Sequence, residues 1–200
     1  MSLWLPMERR EAGAVGEGRD GRALFVDRDG VIIADADYPG NPAAVRLLPG
    51  SAMALARARA AGYLLIGVSN QSGIGRGYYG EADFAAVQRC VDAELAAAGA
   101  GLDALYYCPH APAANCRCRK PRPGLLDEAV TRFRWRPDRA WLVGDKLSDA
   151  ELARTAGLRA VLVRTGKGEG RAGNLPPGDP VLVVADLAEA VSCLLSGEKA

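Results

Sequence analysis

The sequence predicts an α/β protein built on a doubly wound parallel sheet, from three observations. Short apolar runs recur at residues 24–26, 63–68, 102–107, 140–144, 159–163 and 181–184, and they have the continuity of strands buried on both faces. Segments of helical periodicity separate them, and strands alternating with helices imply parallel pairing with right-handed crossovers. Strand after strand also ends in polar residues, and parallel strands end along one edge, where ligands collect. Two hundred residues, 49% of them hydrophobic, suffice for one such domain.

Taken in order, residues 1–21 are rich in Gly, Glu and Arg without periodicity and read as a mobile leader, with the domain over 22–200. The first strand runs into Asp27-Arg28-Asp29-Gly30-Val31. Residues 34–48 read as an irregular loop, with turn signals at Pro39-Gly-Asn-Pro42 and Leu48-Pro-Gly50. Ser51 is expected to cap an alanine-rich helix that Gly62 stops. The second strand ends in Ser69-Asn70-Gln71-Ser72. The next helix puts Phe84, Val87, Val91 and Leu95 on one face and stops at Gly99. The third strand leads into a cysteine cluster. Pro123 suits the first turn of a helix carrying Leu126, Ala129, Val130 and Phe133. The fourth strand ends at Asp145, and Ser148 with Glu151 reads as a capping box for the helix that Gly157 closes. Two more strands, a Gly- and Pro-rich loop over 165–180 and a last helix over 186–195 complete the chain.

A net charge of +1 gives no electrostatic case for nucleic acid or an anionic membrane. Four lysines, Lys120, Lys146, Lys167 and Lys199, stand against twenty-one arginines, so each lysine position is informative. No apolar run has membrane length, and Pro6 with Glu8-Arg-Arg rules out a signal peptide. Three of the five cysteines fall between positions 108 and 118. That spacing suggests metal binding in a reducing compartment, and the expected location is the cytoplasm.

Asp27 and Asp29 repel each other unless a cation or shared proton compensates. Magnesium, which takes one or two carboxylates plus water and phosphate oxygens, is the obvious cation. A plain surface turn is the alternative, since Asp-x-Asp-Gly suits turns. As chemistry, Asp27 can attack phosphorus, and Asp29 can protonate the departing alkoxide and later deprotonate water. Ser69 offers a hydroxyl, the glycines of Gly73-Ile-Gly75-Arg-Gly77 admit an anion to the backbone, and Lys120 supplies positive charge. Asp145 completes a carboxylate set. Each piece also has a structural reading: Ser69-Asn70 as a turn, Ser148-Asp149 as a cap, Lys146 as a solvated lysine. Neither Gly-rich stretch matches a dinucleotide or Walker pattern. Together, in this order and all at strand ends, they describe phosphoryl transfer, which depends on positioning and electrostatics.

Asp27-Arg-Asp29-Gly30-Val31, Ser69, Lys120 and Gly144-Asp145-Lys-Leu-Ser-Asp149 resemble the four motifs of the haloacid dehalogenase superfamily over residues 22–165. The resemblance implies a Rossmann-like core, with Asp27 as nucleophile, Asp29 as acid and base, and Ser69 and Lys120 as phosphate holders. It also implies magnesium on Asp27, the backbone carbonyl of Asp29, and Asp145. No insertion long enough for a large cap domain separates the motifs. The expected substrate is a small phosphorylated molecule and the expected state a monomer.

Cys108-Pro-His110 and Cys116-Arg-Cys118 place the only histidine among three cysteines. Four such ligands suit tetrahedral zinc, and with all positions filled by protein the zinc would be structural. Cys118 precedes Arg119-Lys120-Pro121, so zinc would hold Lys120 in place. Cys90 and Cys193 read as near-core residues. This loop resembles two branches of the superfamily, the heptose bisphosphate phosphatases and the histidinol-phosphate phosphatases. The resemblance to the heptose branch implies substrate contacts at Asp35, Ala36, Asp37, Tyr38, Ser69, Asn70, Gln71, Ser72, Arg119, Lys120 and Lys146. Arg119 would recognise a second phosphate or nearby sugar oxygens. Asp37, where that branch carries glycine, and Val31, where it carries threonine, depart from the pattern. A signalling receiver domain is a competing class, but it would need an aspartate at the end of the third strand, where Tyr106-Tyr107-Cys108 stands. A zinc-stabilised interaction module with a decayed acidic site is a second competitor, and intact motif positions speak against it.

Overall fold

A computed structural model of the chain describes residues 3–5, 16–35, 40–168, 170, 175 and 178–197. The chain opens with β1 (Leu3–Leu5), then β2 (Gly16–Glu17) and a 3-10 turn at Arg19–Gly21. β3 (Ala23–Val26) leads to the Asp27 turn, a 3-10 turn at Pro42–Ala44 and α1 (Ser51–Ala60). Then come β4 (Leu64–Asn70), α2 (Ser72–Gly75), α3 (Glu81–Ala97), β5 (Ala104–Cys108) and α4 (Gly124–Ala129). The rest is β6 (Phe133–Arg134), β7 (Ala140–Gly144), α5 (Leu147–Thr155), β8 (Arg159–Val163), β9 (Leu182–Val184) and α6 (Leu187–Ser196).

The main sheet has the order β1-β5-β4-β3-β7-β8-β9. Its last six strands are parallel, as the sequence predicts. From the central β3 the chain winds outward through β4 and β5, then crosses back to β7 and winds the other way. The order therefore reverses between β3 and β7, where doubly wound sheets bind their ligands. β3 is buried throughout, and its side chains alternate between the two faces of the sheet. Leu24 and Val26 join the core made with α1, α3 and α6. Ala23 and Phe25 join the other, against α4 and α5. Phe25 meets Trp135 edge-on with centroids 5.0 Å apart, and truncating so buried a ring to alanine costs about 3–5 kcal/mol.

Several local expectations are corrected. Residues 3–5 and 16–21 are not a structureless leader. β1 pairs antiparallel with β5, Leu3 opposite Tyr107, because the outermost parallel strand leaves backbone groups that another strand can satisfy. β2 pairs with β6, and Arg19 donates its N–H to Gly62 O at 2.7 Å. Ser51 is the first residue of α1 rather than its cap. Gly50 takes the capping position at φ +77, and Ser51 Oγ donates to Ile32 O at 3.0 Å. In α5 the cap is Lys146, whose N–H donates to the Asp149 carboxylate, so the expected Ser148–Glu151 box does not form. Helix α4 is short: Val130 ends it and Phe133 belongs to β6.

Candidate active site

Asp27 lies one residue beyond β3 and extends the pairing with β7, its N–H donating to Val143 O at 2.9 Å. Gly30 then turns the chain back at φ +86. A Cβ there would stand 2.5 Å from Asp145 Oδ2, so only glycine lets this turn meet the end of β7 so closely.

Lys120 arrives from the loop after β5. Asn70, the last residue of β4, holds its backbone by accepting from Lys120 N at 3.0 Å and donating to Lys120 O at 3.2 Å. The ammonium, 1% exposed, lies 2.6 Å from Asp149 Oδ1 and 3.1 Å from Asp27 Oδ1. It donates to Val68 O at 2.7 Å. Burial alone would lower the Lys120 pKa, but Asp149 and Asp27 raise it above the usual value. Burial likewise pushes Asp27 up, yet Lys120, Lys146 and the Arg28 N–H outweigh it and hold Asp27 below the usual carboxylate range. Asp27 is thereby kept as a carboxylate. Burial first, and then the Asp27 and Asp145 charges, push Asp149 up to about 6 against the pull of Lys120. Burial and the Asp27 charge also raise Asp145.

Asp29 faces a different set. The fully buried Arg28 lays its fork on both Asp29 oxygens, at 2.9 Å from Nη2 to Oδ1 and 3.1 Å to Oδ2. Behind it, Arg28 stands 4.8 Å over the Phe84 ring and donates to Gln88 Oε1 at 3.5 Å. Gln71 Nε2 donates to Asp29 Oδ2 at 2.6 Å and to Ser69 Oγ at 2.8 Å. Tyr79 OH donates to Gln71 Oε1 at 2.6 Å, which sets the orientation of that amide.

Asp27, Asp145 and Asp149 bring carboxylate oxygens within 4.8 Å of one another. Lys146 Nζ lies 2.9 Å from Asp145 Oδ1 and 3.8 Å from Asp27 Oδ2, a positive charge standing between two acids. Clustered acids and a stand-in ammonium fit a hard divalent cation such as magnesium. The Asp29 carboxylate, turned to Arg28 and Gln71, is not part of this cluster.

The second cluster also forms as expected. Cys116 Sγ is 3.4 Å from both Cys108 and Cys118 Sγ, and His110 Nδ1 is 3.6 and 3.3 Å from Cys108 and Cys118 Sγ. Zinc at about 2.3 Å from each sulfur implies edges of about 3.8 Å, so the four atoms need only a small expansion to hold it. Burial pushes the Cys108 and Cys118 thiols up. Hydrogen bonds from both lower Cys116, overcoming burial.

One cavity of about 350 Å³ collects Asp27, Asp29, Asp35, Ser69, Asn70, Gln71, Ser72, Arg119, Lys120 and Lys146, all singled out in the sequence. Ala36, Asp37 and Tyr38 lie outside the described residues. Tyr79, Ser148 and Lys167 line the cavity too and were not anticipated. Nor was Asp149 expected among the cation-binding acids, although it closes the Gly144–Asp149 stretch. The scarcity of lysine was a usable signal for Lys167, but nothing in the sequence marks Tyr79.

Comparison with known proteins agrees with this geometry. Residues 117–190 match the family model described as HAD-hydrolase-like. A D-glycero-beta-D-manno-heptose-1,7-bisphosphate 7-phosphatase of Pasteurella multocida is 37% identical over 182 residues, covering 88% of this chain and 99% of that protein. The protein of that name from Pseudomonas aeruginosa is 40% identical over 174 residues, covering 86% of this chain and 97% of its own length. Among solved structures, D,D-heptose 1,7-bisphosphate phosphatase from B. bronchiseptica, complexed with magnesium and phosphate, superposes with a TM-score of 0.83 at 34% identity. That match covers 88% of this chain and 99% of that one. With likeness of this degree along nearly the full length of these relatives, the chain belongs to the haloacid dehalogenase-like family of phosphatases.

Proposed function

We propose that this chain is a magnesium-dependent phosphatase that removes the 7-phosphate of D-glycero-D-manno-heptose 1,7-bisphosphate. The observation that carries the reading is that Asp27, held below the usual carboxylate range by its cationic neighbours, lines one cavity with Arg119, Lys120, Lys146 and Lys167. Arg119 Nη1 is buried there without a hydrogen bond, a donor suited to an anionic substrate. Cationic side chains beyond Lys120 favour a substrate with a second phosphate over a monophosphate such as histidinol phosphate.

Asp27 attacks phosphorus, forming an acyl-phosphate bond while the bond to the sugar oxygen breaks, and Asp29 gives that oxygen its proton. Water then attacks the aspartyl-phosphate, Asp29 takes the water's proton, and inorganic phosphate leaves with Asp27 restored. Ser69 and Lys120 hold the transferring group, while Asn70 fixes Lys120 and Gln71 with Arg28 fixes Asp29. Asp27, Asp145 and the backbone carbonyl of Asp29, with Asp149 beside them, would hold magnesium, which would supply positive charge to offset the negative charge on the phosphoryl oxygens. Zinc on Cys108, His110, Cys116 and Cys118 would be structural and would fix the loop that carries Arg119 and Lys120. Asp35, Ser72 and Lys146, with residues 36–38, complete the proposed substrate contacts. A cysteine-rich loop of metal-ligand spacing supports the reading of a cytoplasmic enzyme, which we propose acts as a monomer.

The test is magnesium-dependent phosphate release by the wild-type chain and by Asp27→Asn, with kcat/KM on both anomers of the heptose bisphosphate and on histidinol phosphate. Equal rates for the two proteins would reject the enzyme reading. Preference for histidinol phosphate would overturn the choice of sugar.

A further inference from the structure

The loop after β8, whose Lys167 side chain lines the cavity, also brings its backbone to the acidic cluster. Parallel pairing of β8 with β7, Leu162 beside Gly144, delivers it next to Asp145. The turn Thr165-Gly166-Lys167 is closed by Gly168 N–H donating to Thr165 O at 3.1 Å. It touches the acidic cluster in three ways. Thr165 Oγ donates to Gly30 O at 2.7 Å, across 135 residues of sequence. Lys167 N–H donates to Asp145 Oδ2 at 2.9 Å. Gly166, at φ +62, packs where a Cβ would stand 2.5 Å from Asp145 Oδ2 and 2.7 Å from Gly30 Cα.

We infer that Thr165-Gly166-Lys167 is a positioning segment of the magnesium centre, locking one Asp145 oxygen on a backbone amide so that the other faces Asp27. The division of labour is visible in the carboxylate itself. Oδ2 is taken by the Lys167 amide, whereas Oδ1 meets the Lys146 ammonium on the side toward Asp27. A carboxylate held this way offers a hard cation one oxygen in a set direction, and groups that orient ligands contribute strongly to affinity. Thr165 extends the lock to the other half of the site, since the Gly30 carbonyl it holds lies in the turn that follows Asp27 and Asp29. The inference rests on the proposed function only in taking Asp145 as a magnesium ligand.

The experiment titrates Mn2+, as a magnesium substitute, into the zinc-replete, magnesium-free full chain and reads affinity by electron paramagnetic resonance and calorimetry. Gly166→Ala should bind roughly 10- to 100-fold more weakly and Thr165→Val about 10-fold more weakly, with Thr165→Ser restoring the affinity. Lys167→Ala keeps the amide and should bind at least as tightly as wild type. Unchanged affinity in Thr165→Val and Gly166→Ala overturns the inference, as does a loss in Lys167→Ala equal to that in Gly166→Ala. Should Gly166→Ala fail to fold, the Thr165→Val and Thr165→Ser pair decides. A wild-type chain that binds no Mn2+ would instead sink the metal assignment itself, and this inference with it.

Discussion

Lys120 Nζ and Asp149 Oδ1 lie 2.6 Å apart with both side chains 1% exposed, and Asp27 shares the same ammonium at 3.1 Å. Lys120 thus joins the proposed nucleophile to an acid from the start of α5, two strands' ends tied through one charge. Breaking a buried pair by removing one partner costs about 3–5 kcal/mol. Asp149→Asn should fall toward the lower end, about 3 kcal/mol in denaturant unfolding, because Asp27 still faces the lysine. Phosphatase kcat should fall along with it. A variant as stable and active as wild type would deny the pair its role.

Tyr79 acts on Asp29 through Gln71. Its hydroxyl occupies the amide oxygen, which leaves the amide nitrogen to meet Asp29 and Ser69. Tyr79→Phe leaves that oxygen without this donor and the amide free to rotate. A lost hydrogen bond of this kind is worth about 1 kcal/mol, or roughly 5-fold in rate if expressed in the transition state. The expected result is a kcat reduced by about that factor with KM little changed. A change confined to KM would place Tyr79 in substrate binding instead.

Asp92 gives a stability prediction away from the acidic cluster. Burial raises its pKa, although the Gln88 hydrogen bond and the Arg28 charge pull it down. A folded-state value above the unfolded one means that the native state binds the proton more tightly. Stability from this group is therefore greatest below the unfolded value and is lost as pH rises through the folded value. Asp92→Asn keeps an acceptor for Gln88 Nε2 and removes that loss. Its melting temperature should exceed that of wild type at pH 7, with the difference vanishing toward pH 3.5. A variant less stable than wild type at pH 7 would refute this.

The six parallel strands were legible because each is a continuous apolar run closed by a polar end. The site residues on those ends followed, as Asp27, Ser69 and Asp145 show, whereas Lys120 comes from the loop after β5. β1 was not legible, since three residues carry no period and their place is set by the open edge of β5, a hundred residues away. The capping errors share one cause: Ser51 and Ser148 have the local preference of caps, but tertiary demands override it. Gly50 supplies a left-handed turn, and Asp149 must reach Lys120 as well as the Lys146 amide. Arg28 with Gln88, and Thr165 with Gly30, join side chain and partner across 60 and 135 residues. Contacts of that range leave no spacing to read.

The proposed zinc loop offers the sharpest link between a metal and the lysine proposed to hold the transferring phosphate. Cys118 stands two residues before Lys120, and Arg122 Nη1 donates to Cys116 O at 2.7 Å, folding the loop back on itself. Without a core of its own, the loop depends on its ligands for shape. Cys116→Ser should lose stoichiometric zinc by mass spectrometry and lower the melting temperature. It should also reduce kcat by more than about 10-fold, a loss that added magnesium does not restore. Burial pushes the Cys108 and Cys118 thiols up, so zinc binding to the proposed site would have to displace their protons. Zinc affinity should therefore rise with pH and fall on acidification. Full activity in a zinc-free Cys116→Ser protein would show that Asn70, Asp149 and Val68 suffice to hold Lys120 in place.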